Sequence, residues 1–279
     1  MAAILGQQGK RVLVIDLDFQ RSLSRLCFSN EKIKAIHEEK RTLQHFLLDP
    51  HADAARLLRC TSPLGHADGC DIVINAEALQ VKDASDSLED AEMHLQAEWL
   101  MNPKGADVRF LLRKALHAPA VRERYNFVLL DCPPRLSTAC INALAASDFA
   151  LIPVMLDKLS AVSAPNLLRK LNQLRFNKIL APLNILGIVA NRVEFYSAKP
   201  IKSQAAEWDE LIVPCREAWG QAEHFFDTKI KQSSAFARAA ERQTFAAFTD
   251  EFKPVFSDLL DELEARITHE SSRAATVSA

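Results

Sequence analysis

Residues 9–20 read GKRVLVIDLDFQ and contain a short apolar run that ends in two aspartates. The residues before Asp16 are apolar without alternation, which is typical of a strand covered on both faces. Because side chains alternate along a strand, we expect Asp16 and Asp18 on the same side of it. Two carboxylates at the carboxyl end of a strand suit a magnesium site or the orientation of an attacking water, although such a pair can also simply begin a turn.

Further apolar runs of strand length recur along the chain, at 71–74, 127–131, 149–154, 184–191 and 228–230. Apolar residues at helical spacing cover 108–116, 160–174 and 251–267. Strands that alternate with helices of this length predict βαβ units, and therefore an α/β fold with a doubly wound, mostly parallel sheet flanked by helices. We expect one domain over residues 1–268 and a small, polar, disordered tail over 269–279.

Composition limits the class of protein. The 279 residues are 48% hydrophobic and 25% charged, which is ordinary for a globular chain, and the net charge of -2 gives no overall attraction for a polyanion. No apolar run reaches the ~18–20 residues of a membrane helix, and residues 1–10 do not read as a signal peptide, so we expect a cytoplasmic protein. The six cysteines include no C-x-x-C pair, which predicts reduced, mostly buried thiols.

Residues 125–134, YNFVLLDCPP, form a second apolar strand that ends in an aspartate, Asp131. This is the Walker B pattern, in which the carboxylate helps to hold Mg²⁺ beside bound phosphates. The pattern alone is weak because many buried strands end in Asp. Pro133 and Pro134 make it more specific, since they cannot continue a strand and force a sharp exit from it.

Together these segments resemble the ParA/Soj/MinD family of deviant Walker ATPases. Residues 9–20 are similar to that family's GKRVLLIDLDPQ, and residues 125–134 to its YDFILIDCPP. Residues 149–154, FALIPV, resemble the strand after Walker B, and residues 187–192, GIVANR, resemble the strand that ends in the nucleotide-facing asparagine. Phe19 stands where the family has a proline, so the resemblance leaves the geometry of that loop open.

The resemblance implies roles for the matched residues, with ATP and Mg²⁺ as cofactors. Asp18 is the expected catalytic residue, which positions the hydrolytic water. Asp16 and Asp131 are expected in the magnesium environment, largely through water. Asn191 is expected to contact the base, and Arg192 beside it is assigned to the same cofactor site.

The resemblance also implies a function, that of a ParA-like ATPase of plasmid or chromosome partitioning. Such a protein forms an ATP-dependent homodimer, associates with DNA non-specifically and works with a ParB-like partner protein. Between residues 158 and 193 there is no acid, and the basic residues expected to contact DNA there are Lys158, Arg169, Lys170, Arg175 and Lys178. An ordinary solvated helix face explains the same charges equally well. The polar face of the C-terminal helix is acidic, so no membrane partner is expected.

The family's phosphate loop is not found in this sequence, because no G-x-x-x-x-G-K-[ST] occurs among the 279 residues. Residues 1–6, MAAILG, resemble the second half of the helix that follows that loop, so we expect a P-loop NTPase fold that lacks its first strand and its phosphate loop. We favour a longer protein that is represented here from an internal methionine over a degenerate relative, because all the matched polar residues are retained. We expect no ATP hydrolysis by these residues alone.

Two other classes of protein stay open. One is a non-catalytic interaction protein that pairs with an intact paralogue. The other is a different deviant Walker branch, such as an iron–sulfur carrier, although the lack of a C-x-x-C pair counts against it.

Overall fold

A computed structural model describes residues 1–65, 67–76, 87–102, 105, 107–177, 183–197, 199–220, 225–236, 238 and 246–277. The strands are β1 (Val12–Asp16), β2 (Ser62–Pro63), β3 (Cys70–Val73), β4 (Phe127–Asp131), β5 (Phe149–Met155), β6 (Asn184–Val193), β7 (Phe195–Tyr196), β8 (Lys199–Pro200) and β9 (Phe225–Lys231). The helices are α1 (Ala2–Gln7), α2 (Ser22–Cys27), α3 (Asn30–Glu38), α4 (Leu43–Leu47), α5 (Ala54–Cys60), α6 (Leu88–Met101), α7 (Leu111–Leu116), α8 (Pro119–Arg122), α9 (Thr138–Ala146), α10 (Lys158–Phe176), α11 (Lys202–Trp219) and α12 (Ala246–Val277).

The first sheet has the strand order β2-β3-β1-β4 and is parallel except for the short β2. All residues of β1 are buried, as the unbroken apolar run predicts for a strand covered on both faces. β4 pairs with β1 along one edge, and within the described part of the chain no strand pairs with its other edge. Residues of β4 are accordingly half-buried or exposed despite their apolar sequence.

The second sheet has the order β5-β6-β9 and is parallel throughout. Its central strand β6 is buried over most of its length, and α10 and α11 pack against each other in the same unit. The predicted α/β class with mostly parallel strands and flanking helices is therefore confirmed, whereas the described strands are divided among separate sheets in place of the single sheet that was predicted. The sequence-based strand positions agree with the observed ones to within a few residues.

The chain divides into two compact units. The first unit comprises Met1–Ala146 with Arg238–Asp250, and the second comprises Ser147–Ala237 with Glu251–Ala279. The boundary in the chain falls between β4 and β5, which belong to different sheets.

The C-terminal helix α12 is longer than the amphipathic pattern predicted. It continues to Val277, whereas a disordered tail was expected from residue 269. The segment beyond residue 269 contains alanines and neither Pro nor Gly, so its sequence allows the helix to continue. Among the described residues, no helix is long and apolar enough to cross a membrane.

The core of the first unit is built on the buried side chains of β1 and of the helices that cover it. Phe46 on α4 is fully buried at 0% exposure and belongs to the same cluster as Leu13 and Ile15. Phe176, the last residue of α10, is the same residue type at 87% exposure. The pair offers a matched comparison of core and surface.

We expect Phe46→Ala to lower the free energy of unfolding by about 3–5 kcal/mol, because it removes buried apolar area and leaves a cavity. Phe176→Ala should change it by less than about 0.5 kcal/mol. Urea unfolding monitored by tryptophan fluorescence measures both values. Equal losses in the two variants would contradict the assignment of Phe46 to the core.

Candidate functional site

The carboxyl ends of β1 and β4 bring three aspartates together. Asp16 and Asp131 are register partners on these adjacent parallel strands. Asp18 follows in the loop that leads to α2, and the charges of Asp16 and Asp18 both act on Asp131. The structure therefore groups the aspartates that two separate sequence motifs had marked.

Asp16 is fully buried, and hydrogen bonds hold its carboxylate in place. Oδ2 accepts from the backbone amide of Ser24 at 2.8 Å and from its hydroxyl at 2.6 Å, while Oδ1 accepts from the amide of Asp18 at 3.1 Å. Burial raises the pKa of Asp16, and the bonds from Ser24 and Asp18 oppose that rise. Asp16 thus acts as an anchor that ties α2 and the Asp18 loop to the end of β1.

Asn75 completes this network, and sequence reasoning missed it. Its Nδ2 donates to the backbone oxygens of Asp16 at 3.0 Å and Asp18 at 2.8 Å, and its amide donates to Ser24 Oγ at 3.1 Å. The side chain is 1% exposed and reaches the site because β3 lies beside β1. The available signal was a polar residue directly after the apolar run Ile72-Val73-Ile74, which is the same signal that marked Asp16.

Asp131 differs from Asp16 because it is more open to water. Burial of part of the carboxylate, followed by the charges of Asp16 and Asp18, raises the pKa of Asp131 to about 6. Like charges that converge in this way favour a proton or a cation at the site. The site is therefore electrostatically suited to a divalent cation.

The carboxylates do not form a complete metal cage. Among the described residues, no group of three or more His, Cys, Asp or Glu side chains is arranged to hold a metal ion. The oxygens of Asp16 are engaged by Ser24 and Asp18, and Asp18 Oδ1 accepts from the amide of Gln20 at 3.0 Å. The residues fit a magnesium ion that is held mainly by Asp131 and completes its coordination with water and phosphate, as Mg²⁺ commonly does.

Phe19 resolves the loop geometry that the sequence left open. The guanidinium of Arg135 lies 4.5 Å from the centre of the Phe19 ring, and Arg135 Nη2 lies 3.1 Å from Glu89 Oε1. This contact joins the loop after β1, the loop after β4 and helix α6. A cation–π contact with Phe19 therefore restrains the loop in this chain, where a proline ring would restrain the backbone directly.

Asn191 and Arg192 lie at the carboxyl end of β6 in the second unit. Asn191 is opposite Met155 of β5, and its Oδ1 accepts from the amide of Arg192 at 2.9 Å. Arg192 adopts a φ of 57°, which turns the chain at the strand end. Both side chains thus stand at the edge of a parallel sheet where α/β proteins bind ligands, and their contact with a base stays a prediction.

Helix α10 carries Lys158, Arg169, Lys170 and Arg175, all exposed, while Lys178 lies outside the described residues. Arg175 lies over the Trp219 ring at 5.4 Å from its centre, and Arg169 Nη1 donates to Asn166 Oδ1 at 2.6 Å. The helix also exposes apolar side chains at Leu159, Val162 and Phe176. The solvent-exposed surface of α10 therefore carries both basic and apolar side chains.

The chain is similar to known proteins over most of its length. Residues 1–182 match the AAA_31 family model, which is described as an AAA domain. The chain is 25% identical over 237 residues to an uncharacterised protein of Mycobacterium tuberculosis, which covers 85% of this chain and 62% of that protein. It is 25% identical over 255 residues to the chromosome partitioning protein ParA of Caulobacter vibrioides, which covers 86% of this chain and 85% of that protein.

Among solved structures, the ATP complex of a McdA variant from Cyanothece has a TM-score of 0.62 at 19% identity, covering 95% of this chain and 88% of that one. This likeness shows the shared fold. The chain spans about three fifths (62%) of the length of the Mycobacterium relative.

We expect Asp131→Asn to stabilise the metal-free protein at pH 7.5. The carboxyl has a pKa of about 6 when folded against 3.8 as its ordinary value, so the folded state carries an unfavourable charge above pH 6. That cost shrinks as the pH falls through 6 and disappears below about pH 4. Because the side chain is partly open to water, the gain is about 1 kcal/mol or less.

Thermal unfolding at pH 7.5, 6.5 and 5 measures this effect. The control is Asp209→Asn on the exposed side of α11, which removes the same charge far along the chain and should show no such pH dependence. A destabilised Asp131→Asn variant at pH 7.5, or a gain that is the same at pH 5, would contradict the assignment.

Proposed function

Because the chain belongs to the AAA_31 family of AAA domains, which groups it with ParA- and MinD-like P-loop ATPases, we propose that it serves as a ParA-like ATPase domain in plasmid or chromosome partitioning. The observation that carries the proposal is the register pair Asp16–Asp131 with Asp18 beside it. These residues stand at the carboxyl ends of adjacent parallel strands, the edge where open α/β sheets bind ligands.

In the proposed site, the residues have different roles according to how far they are exposed to solvent. When bound, Mg²⁺ would neutralise charge on the terminal phosphates of ATP. Asp131 would hold the ion largely through water, and Asp18 would orient the attacking water with its carboxylate. Asp16 supports both indirectly, since its buried carboxylate holds the Asp18 amide and α2 in place. Asn191 and Arg192 would contact the base.

The 279-residue sequence contains no G-x-x-x-x-G-K-[ST] phosphate loop. In P-loop proteins the backbone amides of that loop bind the phosphates, and its lysine reaches them. Carboxylates alone repel ATP unless Mg²⁺ intervenes. We therefore propose that these residues by themselves do not turn over ATP.

A phosphate-release assay with ATP and Mg²⁺ is expected to give the same background rate for the purified chain and for Asp18→Asn. The ParA relative from Caulobacter serves as the positive control. Turnover by the chain that is lost in Asp18→Asn would overturn the proposed inactivity while supporting the role of Asp18. Turnover that is equal in both proteins and above a mock preparation would contradict the assignment of Asp18.

We further propose that the partitioning activity involves an ATP-dependent homodimer, a ParB-like partner protein and non-specific DNA. The exposed basic residues of α10 support a DNA contact, because phosphates attract such charges without regard to base sequence. The edge of β4 that no described strand pairs with supports a contact with a second protein chain. Homodimerisation is checked by light scattering with and without ATP.

The double variant Arg169→Glu, Lys170→Glu should weaken retention of duplex DNA at low salt by about tenfold or more, because each lost phosphate contact reduces the binding and its salt dependence. The matched control is Lys32→Glu, Lys34→Glu on α3, which makes the same change of charge on exposed residues of the first unit. Fluorescence anisotropy across a salt series measures both. Binding that does not weaken as salt rises, or equal losses in both variants, would contradict a contact through α10.

A second candidate function is that of a non-catalytic protein that pairs with an intact paralogue. The missing phosphate-loop motif favours it, since such a partner would supply the phosphate contacts. Capture of a partner by the tagged chain in the absence of ATP would favour this function. A different deviant Walker branch with an iron–sulfur cluster predicts a coloured purified protein, which separates it from both.

A further inference from the structure

A short hairpin of β7 and β8 follows the carboxyl end of β6 in the second unit. Ser197, which follows β7, adopts a φ of 47°, the positive φ that two-residue hairpin turns typically require. At the base of the hairpin, the Ile201 amide donates to Glu194 O at 3.0 Å, and the Glu194 amide donates to Gln204 Oε1 at 2.8 Å. These bonds tie the hairpin to the start of α11.

The two faces of the hairpin differ in their exposure to solvent. Phe195 pairs with Pro200, and both side chains are half-buried. Tyr196 pairs with Lys199, and both are exposed, Tyr196 at 80%. Because successive side chains of a strand point to opposite faces, Tyr196 and Lys199 lie side by side on the outer face. This face therefore presents an aromatic ring to solvent beside an ammonium group.

Further lysines lie at the same edge of the second sheet. Lys231 ends β9 and is the register partner of the last residue of β6, and Lys202 is the first residue of α11; both are exposed. In the part of the chain that the structure describes, Lys199, Lys202 and Lys231 form no ion pair. Glu194 is the one acid between residues 187 and 203. This edge thus carries an excess of positive charge around the hairpin.

We propose that the hairpin, with Lys199, Lys202 and Lys231, binds single-stranded nucleic acid and stacks one base on Tyr196. Proteins that bind single strands combine cationic side chains, which contact the phosphates, with exposed aromatic rings, on which bases stack. The bases of a duplex are already stacked on each other, so the ring contributes little to duplex binding. The contact is therefore distinct from the duplex contact of α10, and it depends neither on ATP nor on a role in partitioning.

The exposed side chains of the hairpin fit a nucleic acid better than a protein partner. Apart from Tyr196, the exposed described residues from 194 to 203 are all polar or charged: Glu194, Ser197, Lys199, Lys202 and Ser203. Protein interfaces commonly have an apolar core at their centre, which this surface lacks among its described residues. A single ring among lysines matches the stacking of a base between two phosphates.

Fluorescence anisotropy with a labelled oligothymidylate of about 12 nucleotides, at low salt and without ATP, measures the proposed contact. Tyr196→Ala should weaken binding about tenfold because the stacked base is lost, whereas Tyr196→Phe keeps the ring and should bind within about twofold of the unchanged protein. A duplex of the same length should respond to Tyr196→Ala by less than about twofold, since its bases are paired. Because Tyr196 is exposed, both variants should keep the thermal unfolding of the unchanged protein.

Charge variants test the phosphate contacts separately from the ring. Lys199→Gln should lower the slope of log affinity against log salt concentration by about 0.7, the value for one phosphate contact of a single strand. Glu194→Gln should raise the affinity, because it removes the acid that lies two residues before Tyr196 in the chain. Lys32→Gln on α3, an exposed residue of the first unit, is the matched control and should change neither value.

Ultraviolet cross-linking of the same oligonucleotide locates the contact. Trypsin does not cut between Lys199 and Pro200, so the cross-linked base should be found on peptide 193–202, which contains Tyr196. No oligothymidylate binding at low salt, equal weakening by Tyr196→Phe and Tyr196→Ala, or an equal effect of Tyr196→Ala on the duplex would overturn the proposal. A cross-link confined to other peptides would overturn it as well.

Discussion

The parallel pairing of β1 with β4 is the constraint on which the candidate site depends. Its register places Asp16 opposite Asp131 and continues one step further, where the Leu17 amide donates to Asp131 O at 2.9 Å. Two strand ends that are more than a hundred residues apart in the chain thus deliver carboxylates to one edge. Neighbouring carboxylates repel each other unless hydrogen bonds or a cation compensate their charges. At this site, Ser24 and the Asp18 amide donate hydrogen bonds to Asp16.

Burial divides the roles of the three aspartates. Asp16 is enclosed and bonded to Ser24, Asp18 and, through its backbone, Asn75, so it organises the site and has little capacity left for a ligand. Asp131 keeps an open face and a raised pKa, which makes it the most available oxygen donor. Two aspartates at the ends of adjacent strands thus have different roles. Hydrogen bonds occupy the carboxylate of Asp16, whereas the carboxylate of Asp131 can bind a ligand.

The turn after β4 is distinctive because several independent contacts meet there. Arg135 contacts the Phe19 ring and Glu89, and Glu92 accepts hydrogen bonds from Ser137 and from the Ala139 amide. Helix α6 contributes both acids, so its position is coupled to the loop that borders the aspartates. A change in the position of α6 would reach the site through this turn.

The amino-acid sequence by itself determined the α/β class and the positions of the main strands, because unbroken apolar runs between helical patterns admit few other arrangements. It also singled out Asp16, Asp18 and Asp131, since polar residues at the ends of buried strands stand out locally. The division of the strands between two sheets carries no signal in the sequence, because strand pairing depends on hydrogen bonds that no local pattern records.

Only the tertiary structure decided how the side chains share the site. Asn75 joins it because β3 lies beside β1, and Phe19 is restrained by Arg135, more than a hundred residues away. In each of these contacts, the fold brings together residues that are far apart in the sequence, and the local sequence around one residue does not predict the other. Local sequence therefore determined which residues end the strands, while packing decided which of them meet.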